Sequence, residues 1–259
     1  MFWIHGDDLP AGAGSEPFCP MHLAYLAVFL AATVCYALRY KKMDGDRRRR
    51  ADRVLSAAVL FFCLCEYGVT ALLGHFSRYT LPLHVCTLLF LLAPVHAWTG
   101  DARPGSAAAG LHALLGAALF HPGLLGTWAA LLFPDWLYVP FWNYLSVSSF
   151  LAHGLLSAYG ASVLVRIGEA ADRSGDLRRD LRGSLLFMAV GAALMYLFDR
   201  ATGTNYWFMA GPGNGSPFAG AYARGGYGGY LLAYALTAVV VTALWYGLRH
   251  LLVVRRGRA

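Results

Sequence analysis

Charged residues are scarce in this 259-residue chain, and the shortage excludes an ordinary soluble domain. Asp, Glu, Lys and Arg make up 14% of the residues, whereas soluble proteins carry about 25%. Apolar residues reach 58% even without glycine, against about 45–50% with glycine in soluble domains. The charges that are present stand in blocks between long apolar stretches. The composition therefore predicts an integral membrane protein that crosses the bilayer several times.

Cysteine and lysine are also rare, which excludes further classes of protein. There are five cysteines, an odd number, and four of them lie inside apolar segments, so we expect no disulfide framework. Cys63 and Cys65 lack a second pair of ligands, and we expect neither a metal site nor a cofactor. The only lysines, Lys41 and Lys42, lie between apolar stretches. No lysine is therefore placed to bind retinal as a Schiff base.

Repeats and targeting signals are missing as well. No heptad array is present, and no internal repeat is strong enough to predict an inverted-repeat transporter. Residues 1–20 contain no Lys or Arg, whereas a secretory signal peptide begins with a basic region. We therefore predict an extracytoplasmic N-terminal segment over 1–20, a transmembrane domain over 21–252 and a basic cytoplasmic tail over 253–259.

Seven apolar stretches are candidates for membrane spans, since about 20 apolar residues cross the hydrocarbon core. They cover residues 21–39, 54–73, 81–98, 106–121, 143–165, 183–199 and 229–251. The fourth stretch is short, and a second apolar piece follows Pro122. Residues 106–133 can thus form one helix, a broken helix or a helix with a re-entrant segment. The predicted fold is an all-α polytopic bundle of seven transmembrane helices.

The basic residues predict the orientation of this bundle. Eighteen of the 21 Lys and Arg residues fall in alternate connections and in the C-terminal tail. Because cytoplasmic loops carry the excess of Lys and Arg, the N-terminus is predicted outside and the C-terminus in the cytoplasm. We expect a multi-pass protein of the cytoplasmic (plasma) membrane. The net charge of +7 resides in these loops, which favours contact with anionic lipid headgroups and not with nucleic acid.

Polar side chains in the second and third stretches are candidates for a site. The third stretch is predicted to become helical at Leu81–Pro82, because proline is tolerated in a first turn. His84 and Cys86 would then lie about 5–8 Å below its outer end, roughly 200° apart around the helix. A lone buried cysteine can equally be an inert small side chain. Glu66, deep in the second stretch, is predicted to face a cavity or to make a structural hydrogen bond.

The fifth stretch carries a continuous polar stripe. Five side chains fall within about 120° of arc: Asn143, Ser146, Ser149, His153 and Ser157. Such a stripe should face protein or water and not lipid. His153 is therefore either a site residue or an interhelical hydrogen-bonding group. Asp199, followed by Asn205 and Tyr206, ends the sixth stretch and is either part of the site or an interfacial charge.

Three motifs, taken together, resemble those of one known membrane family. They are His75-Phe76-Ser77-Arg78 leading to Leu81-Pro82-Leu83-His84-Val85-Cys86, the helix with His153, and Thr204-Asn205-Tyr206-Trp207 with Pro212 downstream. The chain is similar to the YwaF-type integral membrane family, whose eukaryotic branch is transmembrane protein 164. That branch is regarded as a cysteine-dependent acyltransferase that loads polyunsaturated chains onto lyso ether-lipids. The resemblance implies that Cys86 is the nucleophile and His153 its partner. The chain departs from the family over 223–230, which leaves the substrate open.

The chemistry of these residues agrees with that implied activity. A histidine beside a thiol can take its proton and make it a nucleophile for an ester carbonyl. Arg78 is a candidate for holding a lipid phosphate, and Glu66 or Asn143 for orienting His153. The predicted depths place His153 roughly 7 Å below Cys86, so a tilted helix, His84 or a water would have to bridge them.

The function predicted from these residues is that of a membrane-embedded lipid acyltransferase or lipid-ester hydrolase. Its expected partners are a lysophospholipid and an acyl-donor phospholipid. Two alternatives remain open at this stage. One is a transporter or receptor for a small molecule or lipid, without catalysis. The other is a redox protein that binds haem or quinone through His84 and His153.

Overall fold

The structure, a computed structural model, describes residues 2–169, 174–213 and 216–256. The described residues are all-helical and contain no strand. They form α1 (Pro20–Lys41), α2 (Gly45–Leu72), α3 (Val85–Thr99), α4 (Ala107–Phe120), α5 (Pro122–Leu132), α6 (Tyr144–Glu169), α7 (Ser174–Thr202) and α8 (Ala219–Arg256). Six helical segments are long and apolar enough to cross a membrane, and α3 is a shorter apolar helix. The predicted all-α polytopic membrane bundle is confirmed.

The fourth predicted span is a broken helix. α4 ends at Phe120 and α5 begins at Pro122, with His121 capping both helices. A proline at this position lacks an N–H and clashes with the preceding turn, so it interrupts a helix. The two pieces together form one candidate span over Ala107–Tyr138.

α6 is the central helix of the bundle. In the most apolar 18-residue stretch of α6, 78% of the residues are buried, compared with 6–50% in the same kind of stretch of the other five long segments. It packs against α1, α2 and α5. The predicted polar stripe on this helix is buried, including Asn143, Ser149 and His153, and the expectation that it faces protein is confirmed. The peripheral helices α7 and α8 expose large apolar side chains such as Leu197 and Val239, as lipid-facing helices do.

Ion pairs bring the basic segments together at one end of the bundle. Among the described residues, four pairs at this end join segments that are distant in sequence: Arg53–Asp101 at 2.6 Å, Arg49–Asp101 at 3.4 Å, Arg166–Asp52 at 2.9 Å and Arg249–Asp180 at 2.9 Å. We call this end the basic end. α3 runs from His84, near Tyr206 at the opposite end, to the turn that contains Asp101. Although it is short, α3 thus connects the two ends, as the alternation of basic residues requires.

The predicted start of the third helix is wrong, and three other helices, α2, α7 and α8, begin well before the predicted membrane spans. α3 begins at Val85 and not at Leu81–Pro82, because side chains from a distant loop hold residues 81–84 in a non-helical conformation. α8 begins at Ala219, ten residues before the predicted start of the last span. It bends at Gly226, whose φ of +58° lies in the left-handed region that glycine adopts without strain.

Candidate functional site

A pocket of about 340 Å³ opens at the end of the bundle opposite the basic end. Nine residues line it: Tyr79, His84, Asp135, Thr204, Asn205, Tyr206, Phe208, Pro212 and Gly213. We call it the His84 pocket. It brings together three of the predicted site residues, His84, Asn205 and Tyr206. Its lining does not include Cys86 or His153.

The segment before α3 places His84 in this pocket. His84 is the N-cap of α3, with extended φ and ψ of −63° and 150°. The hydroxyl of Tyr206 accepts the N–H of Leu81 at 2.7 Å and donates to the carbonyl of Arg78 at 2.8 Å. The indole of Trp207 donates to the carbonyl of Leu83 at 2.8 Å. The bond to Leu83 occupies a carbonyl that a longer helix would need, and the three bonds together fix the position of the imidazole.

Asp199 organises the loop that forms the other wall. Its side chain is buried, and Oδ1 accepts from the hydroxyl of Thr204 at 2.7 Å and from the N–H of Tyr206 at 2.8 Å. Its Oδ2 is buried without a hydrogen-bond partner in the described part of the chain. Asn205 folds the same loop, since it donates to the carbonyl of Gly211 and accepts from the N–H of Ala210. Asp199 is therefore buried within the loop and is not an exposed surface charge.

A row of tyrosines on α8 supports this loop, and sequence reasoning missed it. Three hydroxyls donate to three successive carbonyls: Tyr227 to Met209 at 2.6 Å, Tyr230 to Phe208 at 2.6 Å and Tyr234 to Trp207 at 3.4 Å. Trp207 and Phe208 have φ values of +54° and +55°, which are strained for aromatic residues. Such strain persists only where the surroundings enforce it. The tyrosines are three and four residues apart, and this spacing, which puts them on one face of a helix, could have indicated the row from the sequence.

Cys86 lies in the first turn of α3 and is half-buried against the central apolar cluster. Within the described residues its Sγ makes no hydrogen bond. Phe90 lies four residues further on, on the same face of the helix. The ring of Phe90 meets that of His153 edge-on, with centroids 5.0 Å apart. The face of α3 that carries the thiol therefore meets α6 at His153, about one turn or 6 Å deeper than Cys86.

His153 is held in one orientation by its surroundings. Its Nδ1 lies 2.7 Å from the carbonyl of Ser149, to which it donates, and its ring stacks on Trp136 at 4.8 Å. Because Nδ1 carries the proton, Nε2 is the nitrogen that can accept one. Nε2 has no hydrogen-bond partner among the described residues.

Glu66 reaches His153 only through Ser149. Its Oε2 accepts from the hydroxyls of Ser149 at 2.8 Å and Ser148 at 3.1 Å. The carbonyl of the same Ser149 binds His153, so the carboxylate fixes the turn of α6 that orients the imidazole. The expectation that Glu66 or Asn143 orients His153 stays a prediction, and for Glu66 the link to the imidazole runs through Ser149. Asn143 begins α6, where it donates to the carbonyl of Ile4 and accepts from Leu145.

Arg78 lies at the surface beside the His84 pocket. Its guanidinium donates to the hydroxyl of Tyr79 at 2.9 Å and lies over the ring of that tyrosine. Its predicted role in holding a phosphate stays a prediction.

Comparison with known proteins gives one match. The TMEM164 family model matches residues 17–248, a range that contains the whole His84 pocket together with Cys86 and His153. No curated protein and no solved structure matches the chain significantly.

Proposed function

The chain belongs to the TMEM164 family and is a multi-pass membrane protein, and on this premise we propose that it is a lipid acyltransferase. Cys86 is the nucleophile and His153 the general base and acid. The acyl donor is a membrane phospholipid and the acceptor a lysophospholipid. We place the protein in the plasma membrane, with the His84 pocket toward the outer leaflet and the basic end against anionic headgroups of the inner one.

The single observation that carries this proposal is the contact between Phe90 and His153. In this contact the imidazole of His153, whose Nε2 can accept a proton, lies against the face of α3 that carries Cys86. The contact is about one helical turn from the thiol. A thiol is activated when a neighbouring base takes its proton. In this proposal a water or His84 passes the proton across the turn that separates the two groups.

In the first step the sulfur of Cys86 attacks the ester carbonyl of the donor lipid. The S–H proton passes to Nε2 of His153 and a C–S bond forms. The ester C–O bond then breaks, and the departing lysolipid oxygen takes the proton back from the imidazolium. The products are an acyl-thioester on Cys86 and one lysolipid.

In the second step the hydroxyl of the acceptor attacks the thioester. His153 removes the hydroxyl proton, an ester C–O bond forms, and the C–S bond breaks to regenerate the thiol with that proton. If water takes the place of the acceptor, the same step releases a fatty acid. Glu66 and Ser149 act on both steps as positioning residues, because they hold the turn that orients His153.

The His84 pocket has the chemistry of a headgroup site. Imidazole, amide, hydroxyl and carboxyl groups all line it, and the guanidinium of Arg78 lies beside it. A phosphate there would bind through charge-assisted hydrogen bonds. The acyl chains would then extend between the apolar helices, toward the level of Cys86.

A second candidate function is ligand binding without catalysis, as in a lipid sensor or transporter. The observation in its favour is that the lining of the His84 pocket contains neither Cys86 nor His153. Such a protein would take up or bind lipid equally well after Cys86→Ala.

The test is to incubate the purified protein with phospholipid vesicles labelled in the acyl chain. Mass spectrometry then looks for a hydroxylamine-sensitive adduct on Cys86. We expect the adduct in the wild type and in Cys35→Ala, a cysteine exposed on α1, and its loss in Cys86→Ala. An adduct that survives in Cys86→Ala, or no adduct in the wild type, would contradict the proposal.

A further inference from the structure

The segment before α1 folds back over the end of the bundle that carries the His84 pocket. The carbonyl of Phe2 accepts from the N–H of Tyr144 at 3.0 Å, and that of Ile4 from the side chain of Asn143 at 2.8 Å. These bonds bring His5 to His75, which follows α2. The two imidazole rings stack in parallel, with centroids 3.8 Å apart and planes 7° apart.

An exposed carboxylate lies against both rings. Oδ2 of Asp7 is 3.5 Å from Nδ1 of His5 and 3.8 Å from Nδ1 of His75. One ligand atom from each of the three residues lies within 4.8 Å of the other two. Ligands of a tetrahedral zinc ion, at about 2.0–2.1 Å from the metal, are about 3.3 Å apart. To reach that geometry the Asp7 carboxylate has to move closer, and at least one imidazole has to turn out of the parallel stack, because a metal ion lies in the plane of each ring that binds it.

The hydrogen bonds of His5 and His75 indicate which ring nitrogen of each could bind a metal ion. Nε2 of His75 lies 2.9 Å from a carboxylate oxygen of Asp8, to which it donates, so the lone pair is on Nδ1. Nδ1 of His5 accepts a long bond of 3.3 Å from the N–H of Asp7, and a metal ion bound at this nitrogen would replace that bond. A histidine whose second nitrogen donates to a carboxylate is the usual arrangement around a bound metal.

We propose that His5, Asp7 and His75 bind one divalent transition-metal ion of the zinc type, with Asp8 orienting His75. Two imidazole nitrogens and a carboxylate suit Zn²⁺, Cu²⁺ or Ni²⁺, whereas Mg²⁺ and Ca²⁺ prefer oxygen ligands alone. The bound ion joins the N-terminal segment to the connection after α2, and it holds that segment against the start of α6. This site is separate from Cys86 and His153, and it does not depend on the proposed acyl transfer.

The test uses the full-length chain without an affinity tag, purified in detergent and stripped of metal with a chelator. Co²⁺ is added as a spectroscopic probe, and Zn²⁺ affinity is measured by competition with a coloured indicator. We expect one ion per chain, with visible absorption bands of Co²⁺ that Zn²⁺ abolishes. Asp7→Asn and His75→Ala should each weaken binding at least tenfold. Asp8→Asn should weaken it by about 10–100-fold, as loss of an outer-shell partner does.

His250→Ala is the matched control, because His250 is an exposed histidine near the end of α8, far from His5, Asp7 and His75. This variant should bind the metal ion with the affinity of the wild type. Asp7 is 75% exposed in its side chain, so Asp7→Asn will fold, and circular dichroism of the metal-free proteins verifies this. No stoichiometric binding by the wild type would overturn the proposal. Unchanged affinity in both Asp7→Asn and His75→Ala would overturn it equally, since the ion would then lie elsewhere.

Discussion

Replacing Gly191 by alanine would disturb the packing that positions the His84 pocket. Gly191 lies on α7 against the indole of Trp207. A Cβ at this position would overlap Cη2 of the indole and lie 2.6 and 2.8 Å from Cζ3 and Cζ2. Trp207 is 2% exposed and its nitrogen holds the carbonyl of Leu83. The ring therefore cannot move away without loosening the segment that carries His84.

The expected magnitude follows from three contributions. Overpacking of a buried site costs about 1–3 kcal/mol. Loss of the indole hydrogen bond adds about 1 kcal/mol. Replacing glycine by alanine within a helix stabilises the helix by about 1 kcal/mol, which offsets part of this cost. We therefore expect Gly191→Ala to lower the free energy of unfolding by about 1–3 kcal/mol.

The assay is unfolding in detergent, followed by circular dichroism, with Gly126→Ala as the control. Gly126 lies in α5, and a Cβ added there would have no heavy atom within 4 Å. Its replacement should be neutral or stabilising by up to about 1 kcal/mol. In a second variant, Trp207→Leu, the smaller side chain should make Gly191→Ala much less costly. If Gly191→Ala and Gly126→Ala behave alike, Trp207 does not pack against α7 as described.

Two further predictions concern single hydrogen-bonding groups. Asp52→Ala should lower the free energy of unfolding by about 1–3 kcal/mol, because it leaves the buried hydroxyls of Tyr40 and Ser162 and the partly exposed guanidinium of Arg166 without their acceptor. The exposed Asp46→Ala should cost less than about 1 kcal/mol, and chemical unfolding that finds equal effects would contradict the buried pairing. Tyr230→Phe should cost about 0.5–1.5 kcal/mol through its lost bond to a strained loop carbonyl. Thermal unfolding should show no such loss for Tyr222→Phe, whose hydroxyl makes no hydrogen bond in the described residues.

Local patterns predicted much of the membrane fold. The polar stripe on α6 was visible because every third or fourth residue of a helix shares a face, and burial of His153 and Ser149 confirms it. The break at Pro122 was one of the alternatives that the sequence left open, because a proline inside a helical stretch can interrupt it, although Pro94 lies within the continuous helix α3. The basic segments also meet at one end, as their spacing along the chain indicated.

The errors arose where distant residues decide local structure. Helix α3 starts late because Tyr206 and Trp207, more than 120 residues away, bind the backbone of 81–84. Nothing in the sequence around Leu81–Pro82 identifies those partners. The proximity of His5, Asp7 and His75 could not be predicted for the same reason, since residues 68 positions apart form no recognisable motif. The prediction of no metal site considered only the two neighbouring cysteines of α2.

The separation in depth between Cys86 and His153 could be predicted only in part from the sequence. The predicted separation of roughly 7 Å assumed straight helices with a rise of 1.5 Å per residue. Contact of His153 with Phe90 puts the imidazole about one turn below Cys86, close to that separation. What the sequence did not give is the orientation of the imidazole, because it depends on the stacking against Trp136.

The most direct test of the proposed chemistry is the rate at which a labelled acyl chain becomes bound to Cys86 in a single turnover. General-base catalysis by histidine contributes about 10²–10⁴-fold, so His153→Gln should slow thioester formation by that factor. His112→Gln, at the basic end, should leave the rate unchanged. A rate in His153→Gln within twofold of the wild type would contradict the pairing of this imidazole with the thiol.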